Sequence, residues 1–479
     1  MRRLSGLDSS FLYAESTTMP LHGGSITILD PSTAAADFGV ERVRRDIAAR
    51  VDRLVPFRLQ VAAPVLGLGR PVWVDTRDLD LDRHIHAAAL PRPGTPRQLA
   101  DLAGELLARP LPRDRPLWQL WVVEGLEGGR VALIWKAHHA LMGGVEVTNL
   151  LRLLYDLDVP VSEDEAAPSD LGEQFPSPLA MVARAAVDVS AVPIRVARLL
   201  GESALAGVRV SRFLLGGGRP ASTLPFVGPK TSLNGALVAD RTCAFTTISL
   251  DDVKTVKNAL GVTVNDVVLA VCSEALRGYL DDRGELPSRS LNATVMAAVG
   301  GIGGAHGGAV LGNATSVLGA TLATDVVDPL DRLRRINVST RTAKVLHQAL
   351  GDTMVMRLAD ALPPGIVGVL MRAYGATGLP SMLTPPFNAV ISNVPGPPMT
   401  LYSSGARVLS CYLFGPLIQS VALDITVISY DGSLDVGIAA SPNLVPDPWP
   451  IAEAMPAALA SLVAAVAAEN RAQEAARSC

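Results

Sequence analysis

An α/β fold is the class this sequence predicts, and three observations carry the prediction. Stretches with the two-residue alternation of a strand are interspersed with stretches whose apolar residues recur at helical spacing. The 479 residues are enough for two or three domains, each with its own core. An acidic, turn-rich passage over 162–178 and a Gly/Pro-rich one over 216–230 mark the joints. The expected division is 1–160, a linker with an amphipathic helix over 161–228, and 229–479.

The stretch that organises the first unit is Val131–Gly144, VALIWKAHHALMGG. Seven residues suited to a half-buried strand run into His138 and His139, then into the Gly143-Gly144 turn that opens a helix-like run, Val145–Leu154. Successive strand side chains point to opposite faces, so His139 shares a face with Leu133, Trp135 and Ala137, and His138 with Ile134 and Lys136. One histidine at most enters a site on either face. An imidazole there is mostly neutral near pH 7 and suits a general base; a hydrogen-bonded structural histidine fits the same pattern. No HExxH or Cys/His spacing accompanies the pair, so a metal is not expected.

The remaining elements follow in order. LSGLDSS–ITIL, from Leu4, reads as a short helix with Asp8 as its N-cap, then a strand from Gly24, with His22 as a turn residue. Phe38–Val51 has helical spacing, Pro71–Ile85 reads as strand, turn and short helix, and Pro91–Arg109 as an amphipathic helix. Pro116, Leu117 and Trp118 then lead into the histidine strand, with Trp118 expected as a buried wall residue. Over Leu179–Leu215, Arg184, Asp188, Arg195, Arg198, Glu202, Arg209 and Arg212 fall within an arc of roughly 120°, opposite an apolar face, with Pro193 expected to kink the helix. Two readings stay open for it: an interfacial helix whose arginines meet anionic lipid, or a surface helix docked on the core.

In the second unit, Asp251–Leu260 is one helix and Asn265-Asp266 start another, as caps. A strand near Val295–Val299 gives way to six glycines between Gly300 and Gly308. Helices over Pro329–Leu350 and Gly365–Tyr374, strands in FNAVISNVPGPP, Leu417–Ser429 and Leu434–Ala439, and a terminal helix Pro450–Ala476 complete the chain.

Composition narrows the function. Charged residues are 18% of the chain against a typical quarter, and mean hydropathy is +0.30. A net charge of −4 without a clustered basic surface argues against a nucleic-acid partner. The four cysteines lack framework spacing, which fits a reducing compartment. No signal core follows the N-terminal arginines and no run reaches 18 uninterrupted apolar residues, so a cytoplasmic protein without a spanning helix is expected.

The histidine segment resembles the HHxxxDG motif of the CoA-dependent acyltransferase superfamily, and its neighbours sharpen the likeness to bacterial wax ester synthase/diacylglycerol acyltransferases. Pro116-Leu117-Trp118 is similar to that group's PLW motif, Asn265-Asp266 to its ND motif, and Asn393, Pro395 and Gly396 to its NVPGP loop. Leu7, Asp8, Phe11, Pro20 and His22 match its N-terminal signature, and Ser429–Gly432 its SYDG turn. Three departures stand out: Gly143 replaces the motif Asp, Asp424 stands where Asn is usual, and the arginine expected beyond Val299 is missing.

The resemblance implies a two-lobed, chloramphenicol-acetyltransferase-like fold of mixed sheets flanked by helices, with the active site in a tunnel between lobes. It implies transfer of a long-chain fatty acyl group from acyl-CoA, a substrate, to diacylglycerol or a fatty alcohol. No cofactor is implied. His139 would be the general base and His138 its support; residues 179–215 would meet the inner face of the plasma membrane or a lipid droplet. Because Gly143 removes the motif Asp, a catalytically silent homologue that binds lipid or membrane stays open as the alternative.

Overall fold

The computed structural model describes residues 2–51, 55–64, 67, 69–76, 79–141, 154–156, 173–201, 203, 227–298, 315–350 and 360–478. Gly143, Gly144, most of the run after them, Glu202, Arg209, Arg212 and the glycines of 300–308 lie outside the described residues.

The first half supplies β1 (Arg2–Arg3), α1 (Gly6–Ala14), β2 (His22–Asp30), α2 (Val40–Val51), β3 (Leu59–Ala62), β4 (Val72–Asp75), β5 (Ile85–Ala89), α3 (Pro96–Ala108), β6 (Trp118–Glu124), β7 (Val131–His138) and α4 (Pro178–Ser190). The second supplies β8 (Thr242–Ser249), α5 (Leu250–Leu260), α6 (Val264–Asp281), β9 (Asn292–Ala298), β10 (Thr315–Thr321), α7 (Pro329–Leu350), α8 (Pro364–Ala376) and α9 (Leu379–Met382). It ends with β11 (Ala389–Val394), β12 (Tyr402–Ser403), β13 (Ala406–Phe414), β14 (Leu423–Tyr430), β15 (Ser433–Ala440) and α10 (Trp449–Ser478).

Two six-stranded sheets organise the molecule, ordered β12-β13-β2-β7-β6-β5 and β10-β9-β11-β14-β15-β8. A small sheet, β1-β4-β3, lies apart from them. Both large sheets are mixed: β5 runs parallel to β6 in the first, and β11 parallel to β9 and β14 in the second. The first sheet does not close with residues from its own half. β13, from the far end of the chain, pairs antiparallel with β2, and its Cys411 N–H also donates to Asp435 Oδ2 on β15 at 2.7 Å. β13 thus ties the two sheets together.

Local chemistry explains the element ends. Thr95 and Gln98 form a reciprocal capping box on α3, and Gly261 closes α5 in the left-handed conformation. The SYDG turn is a two-residue hairpin with Asp431 and Gly432 both at positive φ, 39° and 85°, which suits the strand twist. The N-cap of α1 is Ser5, not Asp8: Ser5 Oγ accepts from the Asp8 N–H at 3.0 Å and donates to its carboxylate at 2.6 Å. Likewise Thr263, not Asn265, caps α6, with Asp266 answering from the third helical position. In both cases the hydroxyl one turn earlier takes the cap; Asp266 also accepts the Thr263 N–H to complete a capping box, whereas Asp8 accepts the Ser5 hydroxyl.

α10 is long and apolar enough to cross a membrane by length and composition. Its Ile451, Met455, Leu459, Leu462 and Val466 nevertheless sit in the core of the second half, with Leu269, Cys272 and Leu276 of α6. Those contacts make it a core helix here.

Candidate active site

β7 alternates as its sequence predicts, but it is buried on both faces instead of half-buried, because it lies between β2 and β6 with helices and further chain over each side. Leu133, Trp135 and Ala137 enter one core and Ala132 and Ile134 another. Trp118, buried as expected, stacks on Trp135 with centroids 5.0 Å apart and donates from Nε1 to Phe57 O at 2.8 Å. The PLW segment also sets the register at the histidines: Leu117 O accepts the His138 N–H at 2.9 Å, and Pro116 is buried beside it.

The adjacent histidines have opposite surroundings. His138 closes the strand, is fully buried, and accepts the Ala140 N–H on Nδ1 at 3.0 Å. His139 begins the turn and is half-buried; its own N–H donates to Leu21 O at 2.9 Å, and its ring meets Phe11 of α1 edge-on at 4.7 Å. Leu21 holds a positive φ of 51°, an uncommon conformation for a non-glycine residue, at the point where it receives that N–H. Desolvation draws the His139 pKa down to about 4, so the imidazole is neutral at pH 7 and free of a competing proton.

His22, expected in a turn, is the first residue of β2 and faces His138 across the ladder. It brings in Glu15, which the sequence reading missed. Glu15 Oε1 lies 3.4 Å from His22 Nε2, and Oε2 lies 3.8 Å from His138 Nε2 and pairs with Arg113. One local signal was available: Glu15 is the only charged residue between Asp8 and Asp30.

The end of α3 closes the other side of this cluster. His22 Nδ1 meets Leu107 O at 3.4 Å, while the Lys136 ammonium reaches Leu106 O at 2.7 Å and also Arg109 O. Both side chains thereby cap carbonyls that the helix leaves unpaired. A Cβ on Gly24 would come within 2.6 Å of the Leu107 side chain and 2.8 Å of Trp135 O, so only glycine lets α3 settle this close. Burial brings Lys136 down to about 7. A cavity of about 310 Å³ lies beside it, lined by His86, Arg109, Gln119 and Trp121, and His139 is not among its walls.

The other motif residues lie in the second half. Asp266 accepts from Thr263 N and Oγ1, Asn337 Nδ2 and Thr340 Oγ1, so it clamps α6 to α7. Asn265 stands half-buried beside it. Asn393 is the penultimate residue of β11, opposite Val427 of β14, and Pro395 follows the strand; Gly396 N donates to Ser429 Oγ at 2.9 Å, and a Cβ there would meet Ser429 O at 2.0 Å. The described partners of these two motifs all belong to the second half, whereas PLW, His22, His138 and His139 meet in the first. Asp424 is buried, accepts from Gly415 N and Thr426 Oγ1, and is pushed up to about 6 by burial.

The arginine-striped helix divides its polar stripe: Asp188 is buried and Arg195 half-buried, while Arg184 and Arg198 are exposed. α4 ends at Ser190, a helical run over 192–201 follows the break, and Asp188, 7% exposed, turns inward to Arg3 at 2.6 Å and to the Arg70 N–H at 3.2 Å. Arg195 donates to Asp188 O. Leu179, Ile194 and Leu200 are instead 79%, 69% and 65% exposed. Partners on Arg3, Arg70 and within the helix pair hold Asp188 against the protein, beside buried Met181 and Ala185, while Leu179, Ile194 and Leu200 face outward.

Comparison with known proteins places this arrangement. Residues 4–268 match the wax ester synthase/diacylglycerol acyltransferase catalytic domain, and residues 311–463 match the C-terminal domain of the same group. A Mycobacterium tuberculosis protein named as a diacylglycerol O-acyltransferase is 36% identical over 465 residues, covering 97% of this chain and 90% of that one. A Mycobacterium bovis protein with the same kind of name is 34% identical, covering 92% and 94%. Among solved structures, the wax ester synthase/diacylglycerol acyltransferase of Marinobacter aquaeolei VT8 superposes with a TM-score of 0.68 at 27% identity, covering 98% of this chain and all of that one (100%). The starter condensation domain of rhizomide synthetase shares the fold alone, with a TM-score of 0.54 at 13% identity and coverage of 97% and 94%.

Proposed function

Because the chain belongs to the wax ester synthase/diacylglycerol acyltransferase family, and is therefore an acyltransferase, we propose that it moves a long-chain acyl group from acyl-CoA to diacylglycerol, and to fatty alcohols, with His139 as general base. The observation that carries the reading is the contrast within the pair: His138 is sealed in the sheet, while His139 is half-buried and neutral at the strand's end.

In this reading His139 takes the proton of the acceptor hydroxyl as its oxygen attacks the thioester carbonyl. The tetrahedral intermediate collapses to the ester, the C–S bond breaks, and the thiolate of coenzyme A recovers the proton from His139. No acyl-enzyme and no cofactor enter. Both substrates meet in a passage between the lobes, where holding them together supplies much of the acceleration.

Release of coenzyme A from palmitoyl-CoA with dioleoylglycerol or hexadecanol tests this. His139→Ala should lower kcat by about 10³-fold or more. Equal rates for wild type and His139→Ala would leave the other reading, a lipid-binding homologue without turnover, for which the missing motif Asp at position 143 is the motive.

The working place in this proposal is cytoplasmic, at the inner face of the plasma membrane or a lipid droplet. The outward apolar residues of α4 and 192–201 support it, together with exposed Ile366, Val369 and Leu370 on α8. Both helices rest on one loop: Ala185 touches Gly69, and a Cβ on Gly365 would strike Gly67 O at 2.2 Å. Docking led by apolar burial, not by arginine, should survive salt. Flotation with phosphatidylcholine vesicles containing dioleoylglycerol should therefore be equal at low and high salt, and Ile194→Asp with Leu200→Asp should reduce the bound fraction about tenfold. Unchanged flotation of that variant sinks the docking surface.

A further inference from the structure

We propose that Glu15 is a positioning residue of this active site, sharing a proton with His22 and orienting His138 so that the turn bearing His139 is held in place. The inference rests on reading His139 as the base.

The tautomers lead to it. His138 accepts a backbone N–H on Nδ1, so a neutral ring carries its proton on Nε2, and Nε2 points at Glu15 Oε2, 3.8 Å away. His22 commits Nδ1–H to Leu107 O, which leaves Nε2 as a lone pair facing Glu15 Oε1 at 3.4 Å. Two acceptors facing each other out of water repel, and neither Nε2 has another hydrogen-bond partner among the described residues. One extra proton between Glu15 and His22 removes the conflict. The carboxylate then receives His138 on its other oxygen and Arg113 beside it.

The surrounding charges set the balance. Burial lowers both imidazoles; Lys136 and Arg241 push His22 further down, as Arg113, His22 and His139 do His138. Glu15 is the acid that opposes them, and its charge favours the protonated rings. The link to chemistry is short. The ring that Glu15 orients receives the Ala140 N–H, so the turn over 138–140, with His139 at its centre, depends on that ring's angle. Glu15 itself is set by the end of α1, where its N–H donates to Phe11 O, and Phe11 is the residue His139 packs against.

The test compares wild type, Glu15→Gln, Glu15→Asp and His139→Ala in the palmitoyl-CoA/dioleoylglycerol assay, with melting temperatures, and reads imidazole tautomers by long-range ¹H–¹⁵N spectra of histidine-labelled protein. Glu15→Gln should lower kcat by about 30-fold with KM within about twofold and melting nearly unchanged, because the amide keeps the volume but cannot share the proton. Glu15→Asp should restore part of kcat. In wild type His138 should show the Nε2–H tautomer, and the His22 and His138 resonances should shift in Glu15→Gln. A Glu15→Gln kcat within about twofold of wild type, or a KM that rises as kcat falls, overturns the positioning role. An Nδ1–H tautomer at His138 overturns the cluster itself. If instead wild type and His139→Ala turn over equally, the base assignment fails, and the spectra still decide whether the proton-sharing cluster exists.

Discussion

Asp266 and Glu15 are carboxylates drawn into the protein next to family motifs, yet they are held in opposite ways. Asp266 receives four donors at 2.7–2.9 Å from Thr263, Asn337 and Thr340. Burial alone would raise its pKa, but these bonds outweigh it and hold the carboxyl below its ordinary value. Glu15 pairs with Arg113 but faces two imidazole nitrogens at 3.4 and 3.8 Å, beyond good hydrogen-bonding distance. A fully satisfied network locks two helices; an under-satisfied one leaves room for a proton to move. A motif residue's job thus follows from how completely its polar atoms are paired.

The sharpest break in this comparison would come from stability. Asp266→Ala takes away the carboxylate to which buried Thr340 and half-buried Asn337 donate and breaks the cap of α6, and should cost about 3 kcal/mol by chemical denaturation, with kcat per folded molecule unchanged. If it instead abolished turnover without loss of stability, Asp266 would belong with the chemistry and the contrast with Glu15 would collapse.

Asp424 offers an intermediate case, buried with two donors yet raised to about 6. The pH signs of the two aspartates oppose each other. Asp266, depressed, adds stability above the ordinary 3.8, and that stability is lost as pH falls through its folded value. Asp424, raised, costs stability progressively as pH rises from 3.8 to about 6. Asp424→Asn keeps the acceptor and removes the charge, so it should stabilise the protein by about 1–3 kcal/mol at pH 7.5 and much less at pH 4. A loss at both pH values would show that the carboxylate is needed.

The smallest expected effect is an absence of slope. With the His139 pKa near 4, kcat/KM should stay level from about pH 5.5 to 8, lacking the inflection near 6.5 of an exposed imidazole. An inflection at 6.5 would mean that the ring is better hydrated, or more strongly paired, than its surroundings indicate.

Much of the architecture was legible before folding. The alternation in Val131–His138, the helical spacing of Pro329–Leu350, and the Asp-Gly turn at 431–432 follow from rules acting over a few residues. PLW and the histidine pair are close enough in sequence to be tied to one strand pair. Caps were half legible: the right turn of helix was found, but Ser5 and Thr263 hold the position assigned to Asp8 and Asn265, because a hydroxyl and an acid three residues apart can exchange roles only one way once the helix starts.

Residue order alone decided the class of fold, the family and the strand that presents His139, since each is written in local periodicity or contiguous motif. Folding decided the rest. That β13 completes a sheet begun nearly 400 residues earlier, that α4 turns Asp188 inward to Arg3 and Arg70, and that Glu15, His22, Arg113 and His138 converge are consequences of pairing between distant segments. Such pairing depends on which surfaces are left to bury after the local elements form, and no window of sequence contains that information.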